Sequence, residues 1–398
     1  MDRTKSCRGA AVLSRLSLIF PLFLLIFAQD SQAQLSFTPV VGSSLGFFDP
    51  IRNVGFNDQL TIQQTQVGGG VGSSVATVGS QAAFSSVNRR SLDEFDLVDI
   101  EDNMGALYSE PAWTLGKGKH SVGFGYSYYH YTQYNGKDLD DLFDASLSTI
   151  LGSAQEDTDF ELDAHVWTMS YGKGITDDLD VYFVIPFIAL DGEGGITETI
   201  TGEGPFGGLD PGVNSDSYSR TDSGIGDVMM RLKYAVCKDE ESVLSIGGDL
   251  LIPTGDEDKY LGGGDFGYRI RTLYSKKVGR FYPTIELAYF WTPLDGTIQA
   301  TAAQGIGIPV PNLDEGDYDA FEYRVGLPYL CNEKTTLSVE WIGSISDAFT
   351  QNDLGFSGRF DMAKIKEGLV LDAGFRVPID DDGLRTDVTP FVAMEYRF

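Results

Sequence analysis

The chain has 398 residues, a net charge of −29 at pH 7 and 12% aromatic residues. This length suits one large domain or two ordinary ones. The acidic balance argues strongly against nucleic acid as a partner, because binding to phosphates requires clustered lysine and arginine.

Residues 1–33 have the composition of a secretory signal peptide. A basic start is followed by the apolar core Leu16–Ala28, which is too short to span a membrane and is interrupted by Pro21. Ser31–Ala33 offers a cleavage site of the small-x-small type. We expect export and removal of this segment, and a membrane-spanning helix is the alternative.

Residues 34–118 differ in composition from the rest of the chain. The stretch 67–80 is rich in glycine, serine and valine, and 91–103 alternates acidic with hydrophobic residues. Neither stretch keeps a sustained period, which predicts a partly disordered extension. A plug inside a barrel is the alternative interpretation.

From His120 to the end of the chain, apolar residues recur at every second position in repeated runs. Such alternation predicts antiparallel strands with one apolar face and one polar face. The predicted strands are 120–131, 159–172, 179–187, 228–236, 244–252, 266–274, 285–291, 321–329, 337–341, 358–364, 371–377 and 392–398. Several reach the length of about 9–11 residues that a tilted strand needs to cross a bilayer.

The connections between these runs alternate between short and long. The short ones are 173–178, 237–241, 276–280, 331–334 and about 365–367, and the long ones are 132–157, 190–223, 254–264, 292–318, 346–356 and about 379–388. We therefore predict an all-β fold for residues 119–398: an antiparallel transmembrane β-barrel of about 12 strands, with short periplasmic turns and long acidic extracellular loops. A soluble β-sandwich is the alternative.

Three local features refine this prediction. A short helix is expected in the loop 132–157, and Tyr129, Tyr131 and Tyr134 are expected to form an interfacial aromatic belt. Trp167 and Met169 break the phase of the second strand, which indicates a bulge or an inward tryptophan.

The end of the chain resembles the signal read by the barrel-assembly machinery of bacterial outer membranes. Its apolar residues are Val392, Met394, Tyr396 and Phe398. The expected location is therefore the outer membrane, with its lipid and the assembly machinery as partners.

Charged residues alternate with the apolar ones on many strands, and in a barrel they would face the lumen. The lumen-lining candidates are Arg231, Lys233, Asp249, Arg269, Arg271, Glu286, Glu322, Arg324 and Glu340. Unlike charges on neighbouring strands attract one another. These residues either form a salt-bridged wall or line a pore, and the two roles are compatible.

Five segments resemble a family of outer-membrane proteins labelled the MetA-pathway of phenol degradation. They are EPAWTLGKGKHSVGFGYSY (110–128), YGKGITDDLDVYFVIPF (171–187), SGIGDVMMRLKYAV (223–236), LLIPTGDEDKYLGGG (250–264) and GLRTDVTPFVAMEYRF (383–398). The resemblance implies a β-barrel that admits small molecules of aromatic or apolar character.

Three functions compete: a passive channel or transporter, a structural or adhesive surface barrel with a closed lumen, and an outer-membrane enzyme. The enzyme is disfavoured, because the three histidines, His120, His130 and His165, have no evident nucleophile partner. No CxxC motif or Cys/His cluster occurs, so we expect no cofactor and no zinc site; a bridge between Cys237 and Cys331 stays open.

Acidic residues in two predicted loops offer oxygen ligands for calcium. They are Asp256, Glu257, Asp258, Asp314, Glu315, Asp317 and Asp319. They lack the spacing of an EF-hand, which favours solvated loops over a calcium site.

Overall fold

A computed structural model of the chain describes residues 106–140, 145–149, 152–201, 212–256, 259, 261–294, 316–346 and 350–398. The signal peptide and most of the extension lie outside these ranges, so both stay predictions. Every named element in the described residues is a strand, and no helix among them is long and apolar enough to cross a membrane.

Sixteen strands follow one another along the described chain. They are β1 (His120–Tyr134), β2 (Lys137–Asp138), β3 (Ala145–Thr149), β4 (Gly152–Gly174), β5 (Leu179–Thr201), β6 (Gly212–Ile225), β7 (Val228–Lys238), β8 (Ser242–Ile252), β9 (Gly267–Lys276), β10 (Thr284–Leu294), β11 (Gly316–Asn332), β12 (Thr335–Ser346), β13 (Thr350–Asp361), β14 (Leu369–Pro378), β15 (Leu384–Thr386) and β16 (Thr389–Arg397).

Antiparallel pairing closes these strands into a barrel of twelve staves. Strand β1 pairs with β4 on one side and with β16 on the other, which joins the two ends of the sheet. Strands β6 and β7 follow one another along β5 and form one stave; β15 and β16 likewise share a stave beside β1. The predicted fold class and strand number are confirmed.

The two rims of the barrel differ. The short turns, together with His120 and Phe398, lie at one rim, which we call the turn rim; the backbone N–H of His120 donates to the carbonyl of Phe398 over 2.9 Å. The longer connections lie at the opposite rim, the loop rim. Because all staves are antiparallel and their number is even, the first and the last residue of the barrel lie at the same rim.

The strand alternation separates an apolar outer face from the interior. In β9 the residues are alternately buried and exposed along all ten positions. The exposed residues include Phe124, Leu232, Ile246, Ile270, Val325, Val339 and Met394. Large apolar side chains on the outside of a closed sheet are stable in contact with lipid. In water the same belt would be an exposed apolar surface, which is unfavourable.

Three predicted connections are wrong in detail. Residues 190–223 are mostly strand, because β5 continues to Thr201 and β6 begins at Gly212, in register from Phe187↔Ile225 to Ile200↔Gly212. Residues 346–356 are not a long loop, since β13 begins at Thr350. In place of the short helix, residues 145–149 form a strand paired with β4. Polar and glycine-rich composition concealed strands that project beyond the wall, where neither face needs to be apolar.

The phase break in β4 has another cause than the predicted bulge. The pairings of β4 with β1 and with β5 run without a register shift, and Trp167 faces outward against Phe187. Tyr129 and Tyr131 face inward and are buried, so they are not part of an outer aromatic belt. Cys331 is a free thiol, so it is not bridged to Cys237.

The facing of the wall can be tested by charging it. Leu232 is 41% exposed on the outer face, so Leu232→Arg places a charge in lipid and should lower the free energy of unfolding in a bilayer by about 2–4 kcal/mol. Urea unfolding of the barrel in liposomes measures this. Ile365→Arg is the control, since Ile365 is 71% exposed in a connection at the turn rim. Equal losses for both variants would show that Leu232 does not face lipid.

Candidate functional site

The segment 106–115, which we call the plug segment, lies inside the barrel. Nearly all of its residues are buried, although the segment belongs to no strand. It bonds to the inner wall at several strands: Leu115 N donates to Asp180 Oδ2 of β5 over 2.7 Å, and Ala112 N donates to Ser275 Oγ of β9 over 2.9 Å. The described end of the extension therefore occupies the lumen.

Glu110 anchors this segment through its carboxylate. Its Oε1 lies 2.8 Å from Lys233 Nζ, its Oε2 lies 2.9 Å from a terminal nitrogen of Arg231, and the same oxygen bonds to Arg271. Burial alone would raise the pKa of Glu110, but the cations of Arg271, Lys233 and Arg231 hold its pKa well below its usual range. Glu110 is therefore a buried carboxylate shared by three cations.

The remaining lumen candidates on β7–β11 continue this network. Asp249 lies 3.2 Å from Arg231, 3.0 Å from Arg271 and 3.4 Å from Arg269. The register produces this, since Asp249 stands directly opposite Arg231 on one side and Arg269 on the other. The basic and acidic strands thus pair across the sheet, in a place where an unpaired charge would be costly.

Glu322, Glu286 and Arg324 close the network on β10 and β11. Arg324 lies 3.1 Å from both Glu286 Oε1 and Glu322 Oε2, and Glu322 also lies 3.0 Å from Arg269. Glu286 accepts a hydrogen bond of 3.0 Å from the backbone N–H of Glu110. Eight of the nine sequence candidates therefore sit in one connected set of ion pairs.

Glu340, the ninth candidate, binds the plug segment itself. Its carboxylate accepts backbone N–H bonds from Leu107 at 2.7 Å, Tyr108 at 2.9 Å and Ser109 at 2.6 Å. Three successive N–H groups on one carboxylate satisfy donors that would otherwise be buried without partners. Glu340 thus holds backbone in place, a role that the strand pattern did not predict.

The wall makes room for the plug segment at Gly326. This glycine faces inward on β11 beside Glu340, and a Cβ at this position would lie 2.3 Å from Ser109 Oγ and 2.9 Å from Ala106 Cβ. No side chain fits there while the segment stays in place. The absence of a side chain at position 326 is therefore part of the seat of the plug segment.

A different surface covers the interior on β1, β4 and β5. In the half of these strands towards the loop rim, the inward side chains are apolar and form one buried cluster, which we call the apolar patch. Its members include Tyr129, Tyr131, Leu162, Ala164, Val166, Ile188 and Leu190. The phase break at Trp167 was the sequence signal for this patch, because the apolar side chains of β4 change face there: they point inward from Val166 towards the loop rim and outward from Trp167 towards the turn rim.

Two groups of functional residues escaped the sequence reasoning. Glu110 was placed in the extension, and its partners lie 121 or more positions away in sequence. A second buried ion pair joins Arg359 to Asp372 over 2.8 Å, and Arg359 also donates to the carbonyl of Ala106 over 2.9 Å. The sequence pattern placed β13 too late in the chain, which left Arg359 without a predicted facing.

The other singled-out residues lie outside the lumen network. The histidines face outward: His120 bonds to Tyr171, His130 to Asp163 and His165 to Tyr126, each over 2.8 Å. Val392, Met394 and Phe398 are exposed at the end of the chain, and their role as an assembly signal stays a prediction.

Only some of the calcium candidates belong to the residues that the structure describes. Asp256 pairs with Lys259 over 2.7 Å, and Asp319 accepts a bond from Tyr289. Glu257, Asp258, Asp314 and Glu315 lie outside the described ranges. Among the residues that the structure describes, no group of three acidic, histidine or cysteine side chains could hold a metal ion. A loop-bound calcium stays a prediction.

The closed wall and its apolar outer belt define a transmembrane β-barrel of the outer-membrane type. Residues 140–322 match the family model described as "Putative MetA-pathway of phenol degradation". The resemblance inferred from the sequence is thus confirmed over this segment, which contains β3 to β10 and the beginning of β11.

Solved structures with a similar arrangement are outer-membrane barrels. The toluene transporter TodX of P. putida is 9% identical, with a TM-score of 0.36 over 79% of this chain and 96% of that one. The Ralstonia pickettii toluene transporter TbuX is 10% identical, with a TM-score of 0.35 over 71% and 90%. These likenesses are too weak to carry a function to this chain. No curated protein matches it.

Removal of the charge on Glu110 tests the network. Glu110→Gln leaves three wall cations short of one shared anion, so the free energy of unfolding in a bilayer should fall by about 3–5 kcal/mol. Urea unfolding measures it. Glu240→Gln, in the exposed turn between β7 and β8, is the control and should change the value by no more than about 0.5 kcal/mol. Similar small losses for both variants would contradict a buried anchor.

The same carboxylate predicts a dependence on pH. Because the pKa of Glu110 is lowered on folding from its ordinary 4.5, its stabilising contribution is complete above that value and is lost as the pH falls towards the folded pKa. The difference in unfolding free energy between the native chain and Glu110→Gln should be constant above about pH 6 and shrink below about pH 4. If this difference in unfolding free energy instead grows as the pH falls, the pKa of Glu110 is not lowered on folding and Glu110 is not the anion of the network.

Proposed function

We propose that this protein is an outer-membrane channel for the passive passage of small apolar molecules, aromatic ones among them. The observation that carries the proposal is the apolar patch on the inner wall of β1, β4 and β5. The matched family model supports the solute class, since its description names phenol degradation.

The chemistry of the inner wall favours apolar solutes over ions. A water-filled porin has a polar interior, in which ions keep their hydration. Here Leu162, Val166, Ile188 and Leu190 face the interior and are buried there. An apolar inner surface gains free energy by contact with an apolar solute, at about 25 cal/mol per Å² removed from water.

The plug segment enters the barrel beside the turn rim, which we assign to the periplasm. The plug segment crosses the interior and bonds to β5, β7, β9, β10, β12 and β13. Passage of a solute to the turn rim therefore requires this segment to move. Besides its ionic and hydrogen-bonded attachments, the segment packs against the wall through Trp113 on Tyr282 and Tyr108 on Phe391, so its movement has to break apolar contacts as well.

A second candidate function is a structural surface barrel with a permanently closed lumen. The connected ion pairs on β7–β11 favour it, because such a network stiffens the wall whether or not a solute passes. The projecting hairpin of β5 and β6 also suits a surface role. An enzyme receives no support from the three outward-facing histidines, whose described partners are Tyr171, Asp163 and Tyr126.

Displacement of the plug segment separates the two functions. Gly326→Val puts side-chain atoms where Ser109 and Ala106 lie, so the segment should leave its seat and the single-channel conductance in a planar bilayer should rise above that of the native chain. Radiolabelled toluene should enter cells that carry the native protein faster than cells that lack it, and faster still with Gly326→Val.

The matched control is Gly248→Val. Gly248 faces outward on β8, and a Cβ there comes no closer than 3.9 Å to its nearest neighbour, so conductance and uptake should stay at the native level. If toluene uptake is the same with and without the protein, and Gly326→Val changes nothing, the surface-barrel function replaces the channel.

A further inference from the structure

The connection between β8 and β9 folds back into the barrel and buries one side chain. Leu261 is only 2% exposed, although it belongs to a loop at the loop rim. It packs into the apolar patch, in one cluster with Tyr129, Leu162 and Ile188. The side chain of a loop residue, which belongs to no strand of the wall, thus becomes part of the inner apolar surface.

Asp227 holds this loop in position. It lies at the break between β6 and β7, and its carboxylate accepts backbone N–H bonds from Thr254 at 3.2 Å, Gly255 at 3.0 Å and Gly263 at 2.8 Å. Thr254 adds two bonds, accepting from Val228 N at 3.0 Å and donating to the carbonyl of Gly226 at 2.7 Å. One carboxylate therefore grips both ends of the loop that carries Leu261.

The grip leaves no room for a side chain at Gly262. A Cβ there would lie 2.3 Å from Asp227 Oδ1, so only glycine lets the loop return so close to the carboxylate. Three sequence runs meet at this contact: GIGD (224–227), PTGD (253–256) and LGGG (261–264). Together they bring Asp227 against the backbone on either side of Leu261. The loop is built to present this leucine to the patch.

From this arrangement we infer that the apolar patch is a binding site for an aromatic hydrocarbon ring, and that Leu261 occupies the site until a ring displaces it. The inference rests on the proposed function and deepens it. The stacked rings of Tyr129 and Tyr131, with centroids 6.0 Å apart, offer the aromatic contact that a flat apolar ring prefers.

Leu261 is the exchangeable member of this cluster. The residues of β1, β4 and β5 are fixed by ladders of backbone hydrogen bonds on both sides. The loop is held by the Asp227 bonds and by the pair Asp256–Lys259, whose side chains are 44% and 46% exposed. Water can replace these bonds when the loop lifts, whereas it cannot replace a strand ladder without opening the wall.

Photolabelling with a small apolar ring tests the site. The full-length barrel in liposomes is irradiated with 3-phenyl-3-(trifluoromethyl)diazirine, and the labelled residues are found by mass spectrometry. Labelling of outward residues such as Ile246 reports the probe in lipid and serves as the internal standard. Labelling of Leu162, Val166 and Ile188 reports the inner site.

Leu261→Ala should raise inner labelling, relative to the internal standard, by about tenfold, because the competing burial of a leucine side chain is removed. Leu251→Ala is the matched control, since Leu251 is an equally buried inward leucine in a different cluster. Asp227→Asn weakens the grip without changing the patch and should raise inner labelling as well; it also serves if Leu261→Ala does not assemble.

Inner labelling that stays at the native level in both Leu261→Ala and Asp227→Asn, or that rises as much in Leu251→Ala, would overturn the inference. The result is separable from the proposed function. If Gly326→Val passes toluene while inner labelling never changes, the channel stands and this site does not. If the inner residues are labelled as expected while no variant passes toluene, the site stands in a barrel that is not a channel.

Discussion

The interior of this barrel depends on one shared carboxylate that the wall does not supply. The cations of the network outnumber its wall carboxylates; the cations are Arg231, Lys233, Arg269, Arg271 and Arg324, and the wall carboxylates are Asp249, Glu286 and Glu322. Glu110, carried by the plug segment, bonds to three of these cations. Because a buried charge without a partner is costly, the wall and the plug segment stabilise one another. Release of the plug segment therefore requires another partner for those cations, in addition to the loss of its packing against the wall.

The inner surface divides according to the strands that form it. On β7–β11 it carries the network of ion pairs that Glu110 completes, whereas the half of β1, β4 and β5 towards the loop rim is apolar. The charged side receives a charged residue of the plug segment, and the apolar side receives Leu261 of the β8–β9 loop. Each side of the lumen is therefore covered by a segment of matching chemistry.

Much of the fold was predictable because period-two alternation is a local property of the sequence. The twelve staves and the inward direction of Arg231, Asp249 and Arg269 all follow from it. Glu110 could not be found in this way, because its partners are set by where a strandless segment enters the barrel. The apolar patch was missed for a different reason: on β4 the inward residues Leu162, Ala164 and Val166 alternate with polar outward residues, so the alternation assigned the apolar face to lipid. The projecting part of β5 and β6 was missed because water surrounds it on both faces and no apolar face is required.

The two segments that cover the lumen are held by the same chemical group in two different ways. Glu110 is bound by side-chain cations, so its grip weakens with protonation and with any change of those charges. Asp227 is bound by backbone N–H groups at 2.8–3.2 Å, and no change of a single side chain removes those donors. Both attachments need an ionised carboxylate, so protonation weakens the hold on the Leu261 loop as well as the hold on the plug segment. The two carboxylates differ in their partners, side-chain cations for Glu110 and backbone donors for Asp227, so the replacement of a wall cation weakens only the hold on the plug segment.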